Sequence, residues 1–427
     1  MACAAIDMPA HNVLIFLLRL DMSIPDKHMP NAAEGPAVRV LDELLKKALA
    51  QQASDIHFES GDGTFRIRFR IDGVLRLTDA VPRQLRDALI SRLKVLARMD
   101  IAEKRLPQDG RFQFTSGNDT VDLRVSSLPT VHGEKIVVRI LNFNLLRPSL
   151  EDLGYERDDQ TLLLAAITRP HGMVLLTGPT GSGKTLSLYS CLDALNRLDI
   201  NISTVEDPSE IMVPGINQVN INERAGLTFA TTLRALLRQD PDVLMVGEIR
   251  DVETAEIAIQ AAQTGHVVLS TLHTNDAPST LARLGHMGIA PFNVAASVIL
   301  VTAQRLVRRL CNQCKVPMDE KHCEAVRQVL LTIPQTIWST QELQTRPLFQ
   351  SVGCPACAQG YKGRIGIYQI MPISSAIQTL ILNHSDAQAL AAQAAKEGMR
   401  TLRQAGLLKV VHGITSVHEV MALTQHG

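Results

Sequence analysis

The sequence predicts an α/β protein, and two observations support that fold class. Over the middle of the chain, short apolar runs typical of buried strands alternate with segments of helical periodicity. That alternation builds a doubly wound, mostly parallel sheet with helices on both faces. In addition, the apolar run 173–176 is followed by a glycine-rich loop and by the helix-compatible segment 186–198. These three segments form one strand–loop–helix unit of such a sheet.

Size and composition restrict the class of protein further. The chain has 427 residues, so we expect two or three domains, each large enough to bury a core. Lys plus Arg and Asp plus Glu number 43 each, and aromatic residues make up 4% of the chain. A nucleic-acid partner is not expected, since it would require a basic surface and aromatic stacking platforms. No run reaches the ~20 apolar residues of a membrane-spanning helix, and we expect a cytoplasmic protein.

The N-terminal part is predicted to contain a short extension and one small domain. Residues 1–36 are expected to be poorly ordered, because four prolines break up the surroundings of their one apolar run. Alternation over Phe65–Ile71 predicts a half-buried strand with arginines on its polar face, and Asp72-Gly73 after it predicts a hairpin turn. The remaining elements of an α+β domain over 37–150 are helices at about 37–52 and about 82–98 and strands at 121–125 and 136–141.

Arginines are frequent in this domain and are candidates for nucleotide binding. A guanidinium group supplied in trans can offset the charge of a γ-phosphate, which is the usual arginine-finger arrangement. Arg105 and Arg111 are the main candidates, because the run Gln108–Arg111 has no hydrophobic role and predicts an exposed turn. Arg124 and Arg139 lie near strand ends and share the hypothesis. The alternative, a solvated strand face, stays open for each of the four.

The glycine-rich loop after the first apolar strand has the composition of a phosphate-binding loop. Its glycines let backbone N–H groups approach phosphate oxygens, and Lys184 adds a positive charge for the β- and γ-phosphates. The Thr185 hydroxyl is placed to bind Mg²⁺. The candidate residues for binding a nucleoside triphosphate are Gly178, Pro179, Thr180, Gly181, Ser182, Gly183, Lys184 and Thr185.

Three further polar residues follow predicted buried strands, at 202–205, 243–246 and 267–270: Glu206, Glu248 and His273. The carboxyl ends of parallel strands form the edge at which ligands bind, so Glu206 is a candidate catalytic acid. No Asp directly ends the second of these strands, and Glu248 is expected to orient the attacking water, to hold Mg²⁺ through water, or both. His273 suits a γ-phosphate sensor, with a structural histidine as the alternative. Asp251 is expected to cap the next helix.

Two CxxC pairs predict a metal site. The four cysteines are Cys311, Cys314, Cys354 and Cys357. Four thiolates complete the tetrahedral coordination of Zn²⁺ and leave no open position, so a structural zinc subdomain is predicted over about 305–370. A pair of redox-active dithiols is the alternative, although no thioredoxin-like βαβ pattern surrounds either pair.

Four motifs in order resemble those of a known family. The runs Gly178–Thr185, Thr204–Glu210, Gly247–Asp251 and Thr264–Asn275 are similar to the Walker A, Asp box, Walker B and His box of the secretion ATPases of type II secretion and type IV pilus machines. The N-terminal words Ser54–His57 and Arg105–Arg111 also resemble that family. The similarity covers the chain from about residue 37 to its C-terminus.

The resemblance implies a RecA-like ATPase domain over 151–427, with the zinc subdomain and a helical C-terminal part, and a PAS-like second N-terminal domain over 37–150. It implies a homo-hexamer that hydrolyses ATP with Mg²⁺ and drives an inner-membrane platform protein, together with a membrane-associated docking subunit. The protein would then lie peripherally on the cytoplasmic side of the inner membrane. The tetracysteine insert is similar to the assembly and secretion branch, and Tyr361–Pro372 slightly favours pilus assembly.

The chain also departs from the family, and two alternatives stay open. Long members carry further N-terminal docking domains, whereas about 36 residues precede the second N-terminal domain here, which resembles a short form. A DNA-transfer ATPase with the same core would need a basic, salt-dependent surface, against which the balanced charge argues. A scaffold that binds nucleotide without hydrolysis is the other alternative, and the intact acids and His273 argue against it.

Overall fold

The fold was analysed in a computed structural model that describes residues 35–78, 80–117, 119–141, 148–331 and 346–424. The extension expected over residues 1–36 lies, up to residue 34, outside these ranges. Within them, none of the helices combines the length and the apolar character that crossing a membrane requires.

The N-terminal part contains a six-stranded antiparallel sheet in the order β3-β2-β1-β6-β5-β4. Two helices cover one face, where Phe58, Leu89 and Ile136 are fully buried. The elements are α1 Pro36–Ala50, β1 Asp55–Ser60, β2 Phe65–Ile71, β3 Val74–Leu77, α2 Arg86–Leu96, β4 Gln108–Ser116, β5 Asp119–Thr130 and β6 Gly133–Leu141. The predicted helices, the hairpin at Asp72-Gly73 and the three predicted strands are confirmed.

The predicted turn at Gln108–Arg111 is wrong, because these residues begin strand β4. Gly110 does not form a turn; it lets the backbone of β4 pass close to the end of α2. A Cβ atom at Gly110 would lie 2.2 Å from the carbonyl oxygen of Ala97, just after α2. Strand β1 was also missed, because its residues Asp55, His57 and Glu59 are buried despite being polar.

Two of these buried residues, Asp55 and Glu59, pair with arginines of the neighbouring strands. Glu59 accepts hydrogen bonds from Arg66 at 3.0 Å and from Arg68 at 2.8 Å, and it lies 3.3 Å from Lys135. Burial would raise the pKa of Glu59, but the Arg68, Lys135 and Arg66 contacts outweigh it and lower the pKa to about 2. The face predicted to expose arginines is therefore an ion-paired network around buried acids.

A fully buried ion pair joins α2 to β6 in the same domain. The Nζ atom of Lys94 lies 2.7 Å from a carboxylate oxygen of Glu134 and also donates to the carbonyl oxygen of Glu103 at 2.6 Å. We expect Lys94→Met to lower the free energy of unfolding by about 3–5 kcal/mol, because Glu134 would stay buried without a partner for its charge. Denaturant unfolding of the purified chain measures this change.

The matched control is Lys46→Met, which removes an exposed lysine paired with Asp42 on α1. Surface pairs of this kind contribute about 0–1 kcal/mol, so the control should unfold close to the wild type. Identical unfolding midpoints for the Lys94 and Lys46 variants would contradict the assigned importance of the buried pair.

The second sheet has seven strands in the order β15-β12-β7-β11-β10-β8-β9. All neighbours are parallel except β15, which runs antiparallel to β12. The elements up to the last of the parallel strands are α3 Leu150–Leu153, α4 Arg157–Ile167, β7 Gly172–Thr177, α5 Lys184–Leu195, β8 Ile202–Glu206, β9 Asn217–Asn220, α6 Phe229–Leu236, β10 Val243–Val246, α7 Val252–Gln263, β11 Val267–Leu272, α8 Ala277–His286, α9 Pro291–Ser297 and β12 Val298–Leu310. The four strands predicted for this region are confirmed.

The rest of the chain adds the antiparallel edge and a helical C-terminal part. Its elements are β13 Val316–Pro317, α10 Glu320–Leu330, β14 Phe349–Gln350, β15 Tyr361–Pro372, α11 Ser375–Leu382, α12 Ala387–Lys396, α13 Leu402–Val411 and α14 Val417–Leu423. Shielded ion pairs tie this part to the parallel sheet: Arg400 to Asp159 at 2.8 Å, Lys409 to Glu156 at 2.6 Å, and Arg308 to Glu419 at 2.6 Å.

Candidate functional site

The phosphate-binding loop connects β7 to α5 and owes its shape to glycine. Gly178, Gly181 and Gly183 have φ angles of 148°, 78° and 90°, which L side chains rarely adopt. The loop surrounds the ammonium group of Lys184, whose Nζ atom donates to the carbonyl oxygen of Gly178 at 2.8 Å and of Pro179 at 3.1 Å. Burial lowers the pKa of Lys184, and the loop therefore holds a desolvated cation beside the start of α5.

A cavity of about 120 Å³ opens beside the loop, at the carboxyl ends of β8 and β10. Three of the residues predicted for the site line it, namely Thr185, Glu206 and Glu248. Glu210, which the sequence analysis did not single out, lines it as well. Asp207 is a further lining residue, so the structure brings a hydroxyl group and four carboxylates together beside the loop that holds Lys184. Oxygen ligands of this kind suit Mg²⁺, and the donor set fits that ion.

Glu248 and His273 are in direct contact. The Nε2 atom of His273 lies 3.3 Å from a Glu248 carboxylate oxygen, and the other oxygen accepts a hydrogen bond from Arg250. Burial would raise the pKa of Glu248, but Arg250 and His273 outweigh it and lower the pKa. Glu248 is therefore an ionised, oriented carboxylate that can accept a proton. The predicted cap is confirmed, since Asp251 accepts from the backbone N–H of Thr254 at 2.8 Å.

Glu206 is buried, and its carboxylate oxygens are occupied by side-chain donors. It accepts hydrogen bonds from Thr204 at 2.6 Å, from Gln218 at 3.1 Å, and from the Tyr189 hydroxyl. These three partners orient the carboxylate at the cavity wall. They also leave it fewer lone pairs for a ligand than Glu248 has, which favours Glu248 as the acid that contacts water.

Glu210 is half-buried and lines the cavity together with Thr185. Burial raises the pKa of Glu210, although the charges of Arg139 and Arg124, on the six-stranded sheet, oppose the rise. Glu210 is the last residue of the run Thr204–Glu210, which resembles the Asp box. Membership of that run was the one sequence feature that could have identified it. The charges of two arginines on the six-stranded sheet therefore reach a residue of the cavity wall.

The candidate arginines fall into two groups. Arg111 pairs in register with Arg124, and Arg124 with Arg139, so the three lie in one row across the sheet. Direct partners on antiparallel strands point to the same face, and two members of this row act on Glu210. Arg105 lies outside the row. Its side chain is 87% exposed and pairs with Glu103 at 2.8 Å.

The four predicted metal ligands form a cluster at the far ends of β12 and β15. Their Sγ atoms all lie within 4.8 Å of one another. The distances are 3.9 Å for Cys311–Cys354, 3.6 Å for Cys314–Cys357 and 3.6 Å for Cys354–Cys357. A tetrahedron with Zn–S bonds of about 2.3 Å has edges of about 3.8 Å, so the cluster fits zinc. Four sulfurs grouped together do not match two separate redox pairs.

Comparisons with known proteins agree with this site. A family model described as type II/IV secretion system protein matches residues 31–422. The chain is 51% identical over 392 residues to the type IV pilus assembly ATPase PilB of Acinetobacter baylyi, covering 92% of this chain and 67% of that relative. It is 44% identical over 426 residues to the type II secretion system ATPase E of Vibrio cholerae, covering 99% of this chain and 82% of that relative.

Among solved structures, the ATPase DotB of Legionella pneumophila has a similar fold. The two chains superpose with a TM-score of 0.67 at 20% sequence identity, covering 93% of this chain and 99% of the other. At that identity the likeness concerns the fold alone.

Proposed function

Because the chain belongs to the family of type II/IV secretion system proteins, we propose that this ATPase is the motor for assembly of a type IV pilus or of the pseudopilus of a type II secretion system. The family resemblance and the α/β fold class, with its RecA-like domain, are confirmed by the same comparisons. The observation that carries the proposal is the cavity in which Thr185 of the phosphate-binding loop meets Glu248, the carboxylate that His273 contacts.

In the proposed mechanism, the loop binds the triphosphate of ATP through its backbone N–H groups and the ammonium group of Lys184. The Thr185 hydroxyl would hold Mg²⁺, which offsets phosphate charge when bound. The ionised Glu248 orients a water molecule and accepts its proton, while His273, in contact with Glu248, fixes the carboxylate and lies near the γ-phosphate position. Glu206 supports the cavity wall through its three hydrogen bonds.

The row Arg111, Arg124 and Arg139 is proposed to complete the nucleotide site from outside the parallel sheet. Arg124 and Arg139 are close enough to lower the pKa of Glu210 in the cavity wall, and guanidinium groups so placed can offset the charge that develops on the γ-phosphate. ATP binding would then draw the domain over 37–150 toward the domain over 151–427, and hydrolysis would release it. Arg105, on an exposed loop, would contact nucleotide only if a neighbouring subunit of a ring supplied the site.

The remaining parts of the proposal concern assembly. Six copies would form the ring, with an inner-membrane platform protein and a docking subunit as partners on the cytoplasmic face of the inner membrane. Zn²⁺ would be held by Cys311, Cys314, Cys354 and Cys357 as a structural ion. The names of the two relatives, a pilus assembly ATPase and a secretion system ATPase, support only the kind of machine in which the ring would work.

The proposed function can be tested by deleting the gene for this protein in its native organism. We expect surface filaments, counted by electron microscopy, or secreted protein, measured in the culture medium, to fall to background and to return with the wild-type gene. Complementation with a Glu248→Gln gene should not restore either. Normal filaments together with normal secretion after deletion would contradict the motor assignment, and loss of DNA transfer alone would favour the DNA-processing alternative.

A further inference from the structure

A buried glutamine lies directly behind the phosphate-binding loop. Gln304 is on β12, the strand next to β7, and is 1% exposed. Its Nε2 atom donates a hydrogen bond to the carbonyl oxygen of Ser182 at 2.9 Å. Ser182 is the residue two positions before Lys184, so this contact reaches the part of the loop that leads into α5. Among the described residues, no other side chain from outside the loop donates a hydrogen bond to that carbonyl oxygen.

The loop is packed against Gln304 at both of its ends. A Cβ atom at Gly178 would lie 2.6 Å from the Gln304 carbonyl oxygen, and one at Gly183 would lie 3.3 Å from its Nε2 atom. Glycine is therefore required at these two positions for two reasons: the loop packs closely against β12, and the φ angles are positive.

The environment of Gln304 argues against a purely stabilising role. Its neighbour Ala303 is fully buried, and its own Oε1 atom is buried without a hydrogen-bond partner among the described residues. The unsatisfied Oε1 atom disfavours the folded state, whereas the bond to the Ser182 carbonyl oxygen favours it, so the two halves of the amide have opposite effects on stability. What the amide supplies is a directed bond to the loop.

The next residue along β12 anchors a second part of the site. Arg305 donates to the carbonyl oxygen of Asn275 at 3.0 Å and to its side-chain oxygen at 3.2 Å. Asn275 lies two residues after His273. Adjacent residues of one strand therefore contact the loop that holds Lys184 and the segment that presents His273.

We propose that Gln304 is a positioning residue that sets the geometry of the phosphate-binding loop for nucleotide, with Arg305 fixing the His273 segment on the same strand. The inference rests on the proposed function in one respect, namely that the loop binds ATP. Correct spacing of phosphate ligands matters because hydrogen bonds and the Lys184 charge are effective only at short range.

The test is Gln304→Met, which keeps the length and volume of the side chain and removes the donor. Loss of one hydrogen bond to the loop should raise the Kd for a fluorescent ATP analogue about 10-fold. The KM for ATP should rise with it, while the thermal unfolding midpoint stays close to that of the wild type, because removal of the unsatisfied Oε1 atom offsets the loss of the donor to Ser182. Gln304→Glu, when ionised, cannot donate and places a negative charge behind the loop. It should bind more weakly still, and it answers the question if the methionine variant fails to fold.

The matched control is Gln369→Met on the adjacent strand β15. Gln369 is also buried and lies in register with Ala303, but its amide oxygen accepts from the backbone N–H of Ala277, away from the loop. This variant should lose stability and keep the wild-type Kd. If the wild type binds the analogue and Gln304→Met and Gln304→Glu bind it equally well, the positioning role is wrong and the proposed function stands. A wild-type chain that binds no analogue would overturn both.

Discussion

Replacing Glu248 with glutamine is expected to lower the rate of ATP hydrolysis at least about 100-fold while ATP binding is retained. The amide keeps the size of the side chain and can still accept the hydrogen bond from Arg250, so the cavity should keep its shape. It cannot accept a proton from water, and a positioned general base contributes about 10²–10⁴-fold to such reactions. Phosphate release and binding of a fluorescent ATP analogue, measured on the same preparation, separate the two effects.

The matched control is Glu253→Gln on α7, which makes the same chemical change at an exposed residue paired with Arg234 at 2.8 Å. That variant should hydrolyse ATP at the wild-type rate. If Glu248→Gln hydrolyses ATP at the wild-type rate, another carboxylate of the cavity must be the general base. Glu210 would be the next candidate, since burial raises its pKa and it lines the cavity together with Thr185.

Removal of zinc is expected to unfold the tetracysteine cluster and to leave the phosphate-binding loop in place. Four thiolates that share one ion supply several kcal/mol of folding free energy, and the cluster joins the ends of β12 and β15. Treatment with a chelator, or Cys314→Ser, should therefore lower the thermal unfolding midpoint. Hydrogen exchange should speed up around 305–317 and 349–366, while β7 and α5 stay protected.

The control for the cysteine change is Cys323→Ser, because Cys323 is a buried cysteine of the same subdomain and is not a member of the cluster. Its effect should be smaller and should not depend on the chelator. Elemental analysis should find one zinc ion per wild-type chain. An unchanged unfolding midpoint after complete removal of the metal would contradict a structural role for it.

The strands at the centre of the nucleotide-binding sheet could be predicted because each is buried on both faces. Such strands are continuous apolar runs, and 173–176, 243–246 and 267–270 have no polar residue that hides the pattern, apart from Ser270 at the end of the last. Strands β12 and β15 were not predicted. Gln304 and the arginines of β12 interrupt its apolar pattern, because this strand contacts the loop, the C-terminal helices and the cysteine cluster in turn.

The residues of the candidate site could be predicted one by one, but their arrangement in space could not. Residue types and strand ends identified Glu248, His273 and Lys184 from local sequence. The arginine row and the contacts of Glu210 depend on cross-strand register and on the packing of two sheets, which local sequence does not encode. The prediction of an exposed turn at Gln108–Arg111 was wrong for a related reason. Gly110 is required there by its close packing against Ala97, a residue outside the local sequence window.

Magnesium-dependent release of phosphate from ATP by the purified wild-type chain tests the central claim most directly. The cavity lined by Thr185 and Glu248, beside the loop that holds Lys184, predicts steady turnover that stops when Mg²⁺ is withheld and falls to background in the Glu248→Gln chain. A folded, assembled wild-type chain that binds ATP with Mg²⁺ and releases no phosphate over many hours would contradict the claim and would favour a nucleotide-binding scaffold.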